Sequence, residues 1–376
     1  MSVRHFLKHM LVHQPVMCIA WGLVAATFCL VPPDKRILND IDWRVIGLLY
    51  CLMVVVMAFR RMGGIDLLST KLIGTFRTLR RLSIGLVVMA FFSSMLLTND
   101  VALISIVPLT MVILSRSDRL HAAARLVTLE TIAANLGSMA TPLGNPQNLF
   151  LYTKFQLTAG AFFSTMIPLS ALSFVLLVVI ASFAPCDEIH RDEVKPLVSD
   201  VQPTPVRMIV TALFFILSIL AVFRIVPVFW VVLAVSIGYI RLDYRSVLKI
   251  DYGLLATFVA FFIFVGMLQR IDAIHAVLGE IVAEHTLASG FALSQIISNV
   301  PAAILLSGFT KDVSALLAGV NIGGLGTLVA SLASLIAFQG YIKACHDSKR
   351  HFLCVFTTYN AVFAFILLAY WHFISA

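Results

Sequence analysis

The chain has 376 residues, 60 % of them hydrophobic and 12 % charged, with a mean hydropathy of +0.98; this excludes a soluble domain and indicates a polytopic membrane protein. At ~20 residues per spanning helix there is room for roughly ten to twelve membrane segments and no large soluble domain. The net charge of +8 would suggest nucleic acid in a soluble chain, but all except seven of the 27 Lys and Arg fall on one side of the topology below; that bias marks a cytoplasmic face, and no nucleic-acid partner is expected.

The seven exceptions are Lys35, Arg36, Arg44, Lys154, Arg224, Arg270 and Lys311. The first helix, Pro15 to Val31, follows a basic start and lacks a small-residue cleavage site, so it reads as retained, with a cytoplasmic N-terminus. Trp43 to Phe59 returns to Arg60-Arg61, and a mixed segment with Lys71, Arg77, Arg80 and Arg81 reads as an interfacial amphipathic helix. Leu82 to Leu114 then runs 33 residues with Asp100 as its only charge. That is short for two spans, and basic residues flank both ends, so a re-entrant hairpin with Thr98-Asn99-Asp100 at its buried tip is expected.

Ala122 to Asn135 reads as a helix, broken by Gly137, Thr141-Pro142, Gly144-Asn145-Pro146 and Asn148. At membrane depth, unwound backbone survives only where it is buried or lines a polar cavity. Ala159 to Phe183 returns, and the polar stretch 185–207 reads as a cytoplasmic linker between repeats at 1–184 and 208–376. In the second repeat, Met208 to Phe223, Pro227 to Ile240 and Gly253 to Leu268 are spans. Thr286 to Thr310 is an uncharged hairpin with Ser298-Asn299-Val300 near its centre, opening outward. Val313 to Ala337 corresponds to the broken helix at 122–154, and Phe352 to Tyr370 leaves the C-terminus outside.

The duplication is legible in the residues. Ser94 to Ala102 returns as Ser294 to Ala302, Ile41-Asp42 as Ile250-Asp251, and the two broken helices align at Asn135/Asn321, Gly137/Gly323, Thr141/Thr327, Asn145/Ser331 and Asn148/Ser334. Paired polar breaks in membrane segments point to a secondary transporter. The expected fold is therefore an all-α polytopic membrane protein with two inverted repeats, each holding a re-entrant hairpin (82–114, 286–310) and a broken helix (122–154, 313–337).

Thr98-Asn99-Asp100, Thr141 to Asn148, Ser298-Asn299-Val300 and Asn321-Ile322-Gly323-Gly324 resemble the ion-transporter superfamily of arsenite/citrate permeases, divalent anion:sodium symporters and sodium/proton exchangers. The resemblance covers nearly the whole chain and is closest to the arsenite/citrate branch. It implies a homodimer in the cell's inner (plasma) membrane, in which a domain of hairpins and broken helices moves like an elevator against a scaffold.

A hairpin turning at the midplane presents helix N–H groups and the positive end of the helix dipole, which favour an anion. Exposed carbonyl and Asn oxygens suit sodium. On this reading, which the resemblance supports, Asn99, Asp100, Gly144 and Asn145 form a first cation site, and Asn299, Ala330 and Ser331 an equivalent second one. Thr98, Asn99, Thr141, Ser298, Asn299 and Thr327 would then face the anion. Two departures matter. The dicarboxylate symporters carry Ser-Asn-Thr-type tips, where this chain has Asp100 and Val300; and Leu328 to Ser334 lacks prolines, which makes the second break and second cation site less secure.

The function expected is transport of a small anion, an organic di- or tricarboxylate or an inorganic oxyanion such as arsenite, coupled to sodium or protons. The alternative is a sodium/proton antiporter without an anion substrate. No His-Glu-x-x-His, Gly-x-Ser-x-Gly or P-loop occurs, so neither an enzyme nor ATP-driven pumping is expected, and no cofactor beyond a sodium ion. The six scattered cysteines read as packers. Glu130 reads as a proton carrier or as a structural partner for Arg125 or another nearby cation, Asp42 and Asp251 as helix N-caps, and His5, His9 and His13 as a face without metal-binding partners. The GxxxG at Gly319 to Gly323 reads as close packing within the moving domain.

Overall fold

The computed structural model describes residues 15–32, 34, 37–63, 77–188, 204–345 and 349–375. His5, His9, His13, the segment around Lys71 and most of the 185–207 linker lie outside the described residues. Apart from one isolated bridge between Thr78 and Glu188, the regular structure among them is helical. In chain order the helices of eight or more residues are α1 (Pro15–Phe28), α2 (Trp43–Arg61), α3 (Leu79–Leu97), α4 (Asn99–Arg116), α5 (Ala123–Ser138), α6 (Pro146–Lys154), α7 (Ala159–Ser182) and α8 (Pro205–Val222). They continue as α9 (Val228–Leu248), α10 (Tyr252–Leu268), α11 (Asp272–Glu284), α12 (Thr286–Ile297), α13 (Asn299–Leu306), α14 (Val313–Ile322), α15 (Leu332–Ala344) and α16 (Lys349–Ser375).

Six of these, α2, α3, α4, α7, α8 and α16, are long and apolar enough to cross a membrane. Ile209, Leu213 and Ile216 on α8 and Phe365 on α16 are exposed, as expected of helices whose outer faces meet lipid rather than water. The chain is a multi-pass membrane protein. Two sharp bends complete the set, 84° between α9 and α10 and 109° between α11 and α12; α9 itself breaks at Asp243, close to the Ile240 end read from the sequence. Helix α11 has no counterpart in that reading.

The first hairpin is longer than the 33-residue apolar stretch from Leu82 to Leu114 suggests, with limbs of 19 and 18 residues. The inbound limb takes in Arg80, whose side chain finds an acceptor nearby, and the basic residues beyond the outgoing limb are held in the same way. Arg80 Nε donates to Ala184 O at 2.9 Å and Arg125 Nη2 to Ile180 O at 2.8 Å, so both cations sit on the carbonyl-rich C-terminus of α7. Leu79 N donates to Asp187 O and Arg119 pairs with Asp187 at 3.3 Å. Each limb is thus long enough to span by itself, and length does not separate a re-entrant hairpin from two short spans.

Packing divides the helices into two groups. Helices α1, α2, α8, α9 and α10 pack on one another, with α2 against α9 and α1 against α10. The hairpins and broken helices form the other group, in which α3 packs on α5 and α12 on α14, α4 on α15 and α6 on α13. Contacts within the second group come in matched pairs. The two groups meet where α6 lies on α2 and α13 on α10. Asp42 and Asp251 cap α2 and α10 with the same backbone shape (φ −80° for both, ψ 86° and 85°), their Oδ1 atoms accepting from Val45 N and Leu254 N at 3.0 and 3.1 Å. The GxxxG packs inside the second group, where Gly319 meets the backbone of Leu287 on α12.

Candidate functional site at the paired hairpin tips

Each hairpin turns on a single residue. Thr98 has φ 71° and ψ 149°, Ser298 φ 77° and ψ 153°. This region is essentially glycine-only and costs of order 1–3 kcal/mol for other residues; a β-branched threonine there is a clear outlier. What holds the strain is the facing break. Asn99 N donates to Gly144 O at 3.2 Å, and Asn299 N to Ala330 O at 2.9 Å. The first amide of each outgoing limb is therefore engaged by an unwound carbonyl, and Asp100 N by Asn99 Oδ1 at 3.0 Å, rather than left open as the sequence reading had it. A carbonyl has a second lone pair, so Gly144 O keeps acceptor capacity.

The breaks form for different local reasons. The first restarts at Asn145, whose Oδ1 accepts from Asn148 N at 2.9 Å with Pro146 at the first helical position. The second has no proline, yet it unwinds from Gly323 to Ala330, so the expectation of a weaker break is corrected. The side chain of Gln295 replaces the missing punctuation. Its Nε2 donates to Gly323 O at 2.8 Å and Leu325 O at 3.0 Å, and its Oε1 accepts from Thr327 N at 3.0 Å. Freed backbone groups that find side-chain partners cost little to unwind.

Both threonines brace these breaks. Thr141 Oγ1 donates to Met95 O at 2.6 Å and Thr327 Oγ1 to Gln295 O at 3.0 Å, equivalent ties between break and inbound limb. The glycines of the alignment allow this approach. A Cβ on Gly137 would lie 2.2 Å from Phe91 O, and one on Gly323 2.7 Å from the Ser294 side chain.

Between the tips lies a buried amide network that joins the assigned residues Asn99, Asn145 and Ser331 through Asn135 and Asn321, which sequence reasoning aligned but did not assign to the site. Asn135 Oδ1 accepts from Asn99 Nδ2 and from Ser331 Oγ, both at 3.0 Å. Asn321 Oδ1 accepts from Asn145 Nδ2 at 3.0 Å, while its own amide donates to Asn148 Oδ1 at 2.6 Å and Leu317 O at 2.8 Å. The recurrence of Asn at both aligned positions was the signal.

A cavity of about 590 Å³ opens beside the first tip. Thr98, Asp100 and Asn145 line it, with Arg60, Lys249 and Asp251, while most of the remaining wall is apolar, including Leu52, Met53 and Ile104. Ser298, Asn299, Thr327, Ala330 and Ser331 do not line it. Asn99 and Gly144 stand behind its polar wall through the bonds above. Asp100 Oδ1 is buried with no hydrogen-bond partner. A carboxylate oxygen buried without a partner calls for a proton or a cation, and Asp100, Gly144 O and the Asn side chains are hard oxygen donors of the kind sodium takes. The second tip has Val300 in that position, and there Ala330 O already accepts from both Asn299 N and Ser298 Oγ.

Glu130 does not meet Arg125. It is fully buried, its Oε1 accepting from Thr110 Oγ1 at 2.6 Å, because α5 packs that face against the outgoing limb α4.

The family profile described as citrate transporter matches residues 6–320. The chain is 34% identical over 302 residues to inner membrane protein YbiR of Escherichia coli, covering 80% of each chain. It is 33% identical over 328 residues to an uncharacterized transporter of Methanocaldococcus jannaschii, covering 86% of this chain and 88% of the relative. A Dictyostelium discoideum protein named "Putative transporter arsB" is 27% identical over 168 residues, 44% of this chain and 29% of that one.

Proposed function

Because the chain belongs to the citrate transporter family and is a membrane transporter, we propose that it carries a small anion across the inner (plasma) membrane, coupled to sodium or protons. The anion is an organic carboxylate or an inorganic oxyanion. The observation that carries this reading is Asp100, which stands at a strained tip with one oxygen unpartnered and lines the cavity. A cation or proton on Asp100 neutralises the polar wall, and only then does an anion meet Thr98, Asn145 and the adjacent backbone without repulsion. Coupling follows, since the anion binds well to one charge state alone.

The matched packing and the identical capping geometry of α2 and α10 support two inverted repeats, with the hairpin group moving as an elevator against α1, α2 and α8 to α10. In this arrangement Arg60 and Lys249 face the cytoplasm, so the cavity is open inward, the N-terminus is cytoplasmic and the C-terminus outside. The protein is a homodimer on this reading, as the resemblance implies. The carboxylate at Val300's counterpart makes the first cation set the coupling site, with the second chiefly a brace.

One observation favours a second reading. The cations of the cavity, Arg60 and Lys249, belong to α2 and to the turn after α9, not to the hairpin that carries Asp100. A sodium/proton antiporter needs only Asp100. The test uses purified protein in liposomes with a trapped pH dye and an imposed sodium gradient, with and without dicarboxylates, citrate, phosphate, sulfate and arsenite. Flux that requires one anion supports transport of that anion; proton movement driven by sodium alone overturns it in favour of the antiporter.

A further inference from the structure

Helix α2 carries an arginine at each end. Arg60 lines the cavity, and Arg44, sixteen residues earlier, stands about 24 Å away at 1.5 Å per residue. At the Arg44 end, three cations from separate elements gather. Arg44 Nη2 donates to Ala221 O at 3.2 Å at the end of α8. Arg224, in the turn between α8 and α9, donates from Nη2 to Tyr152 O at 3.2 Å and lies 5.8 Å from the centre of the Tyr152 ring. Lys154 closes α6, two residues beyond Tyr152, 5.7 Å from the Phe150 ring.

These cations are under-compensated. Among the described residues, none of the three forms an ion pair with a carboxylate. Asp42 is the acid within electrostatic reach of Arg44 and Lys154, and its Oδ1 is engaged as the α2 cap. Arg224 is within reach of Arg44 as well. A guanidinium has five N–H donors, and the hydrogen bonds of Arg44 and Arg224 described above take one from each; Arg44 Nε is buried with no partner.

The backbone points the same way. Arg224 has φ 64°, a left-handed position just past the end of α8 where glycine is the inexpensive residue. An arginine kept at such a position directs attention to its side chain. Helix α6 then links this end to the cavity: Asn145, Pro146 and Leu149 line the cavity, while Tyr152 and Lys154 belong to the cation cluster.

We propose that Arg44, Lys154 and Arg224 form an anion-reception site on the face opposite the cavity mouth, which takes a soluble carboxylate or other oxyanion before the hairpin tips do. Planar guanidinium groups suit carboxylate and phosphate oxygens, and a positive cluster at an entrance raises the local anion concentration. The site rests on the anion-transport reading for its purpose but not for its detection.

The experiment uses the full chain in phosphatidylcholine vesicles, with the arginine reagent phenylglyoxal and peptide mass spectrometry to follow Arg44 and Arg224. Citrate, sulfate or phosphate, against chloride at equal ionic strength, should slow modification of both arginines by about tenfold. Lys154→Gln should weaken protection of both, Arg224→Lys should retain part of the protection at Arg44, and Asn99→Ala at the tip should leave protection unchanged. Absence of protection by all three anions overturns the site. Protection that appears only when phosphatidylglycerol is added also overturns it, because the ligand is then a lipid headgroup. Protection without anion flux in the liposome assay retains this site and removes the anion-transport reading, whereas flux without protection does the reverse.

Discussion

Asn135 and Asn321 each reach across the molecule to the other half of the chain. Asn135 Oδ1 takes the hydroxyl of Ser331 at 3.0 Å, and Asn321 Oδ1 takes the amide of Asn145 at 3.0 Å, where Ser331 and Asn145 are themselves aligned positions. Both asparagines are buried. The two helix breaks are thus locked to each other through the same bond made twice, and the hairpin tips hang on the result.

Removing one of these amides strands buried partners. Asn135→Ala is expected to destabilise the protein by about 2–3 kcal/mol, since Asn99 Nδ2 and Ser331 Oγ both lose their acceptor. Ser334→Ala should change stability by less than about 0.5 kcal/mol, because the Ser334 hydroxyl is buried without a partner. Thermal unfolding in detergent compares the two, and equal losses would contradict the network.

Gln295 holds the proline-free break. Gln295→Ala and Gln295→Met, the latter copying the first repeat's Met95, should each cost about 2–4 kcal/mol and lose transport, because Gly323 O, Leu325 O and Thr327 N are released together. Retained stability with Met would show that the unwound segment supports itself.

Close backbone approach sets the glycine requirement. Gly137→Ala places a Cβ 2.2 Å from a backbone oxygen, that of Phe91, so neither side can yield cheaply; a loss of more than about 2 kcal/mol is expected. Gly160→Ala, with nothing within 4 Å of the added carbon, should be neutral or stabilise α7 by up to about 1 kcal/mol. Unfolding midpoints of the two variants decide.

At the tips, Asp100→Asn should leave expression intact while cation-dependent uptake in liposomes falls at least about tenfold. Unchanged sodium and pH dependence would move coupling elsewhere. Asn99→Ala and Asn299→Ala should each abolish uptake, and normal uptake by both would remove the twin-tip site.

Topology is open to labelling. In a background with the six native cysteines replaced, Ser117→Cys should react with impermeant maleimide from the cytoplasm and Ser314→Cys from outside. Reaction of both from one side would rule out inverted repeats.

The sequence by itself determined that the chain lives in a membrane, where its polar breaks fall and which residues recur. Those properties are local: burial in lipid demands apolar runs, glycine and proline interrupt helices wherever they stand, and Asp42 and Asp251 cap the next turn. The tertiary structure alone decided that Gln295 stands in for a proline, that Glu130 faces Thr110 instead of Arg125, that the hairpin amides bind carbonyls of the breaks, and that Asp100 lines a cavity while Asn299 does not. Each of these joins groups distant in sequence or on facing helices, and hydropathy and spacing carry no record of which side chain a fold will bring to meet which carbonyl.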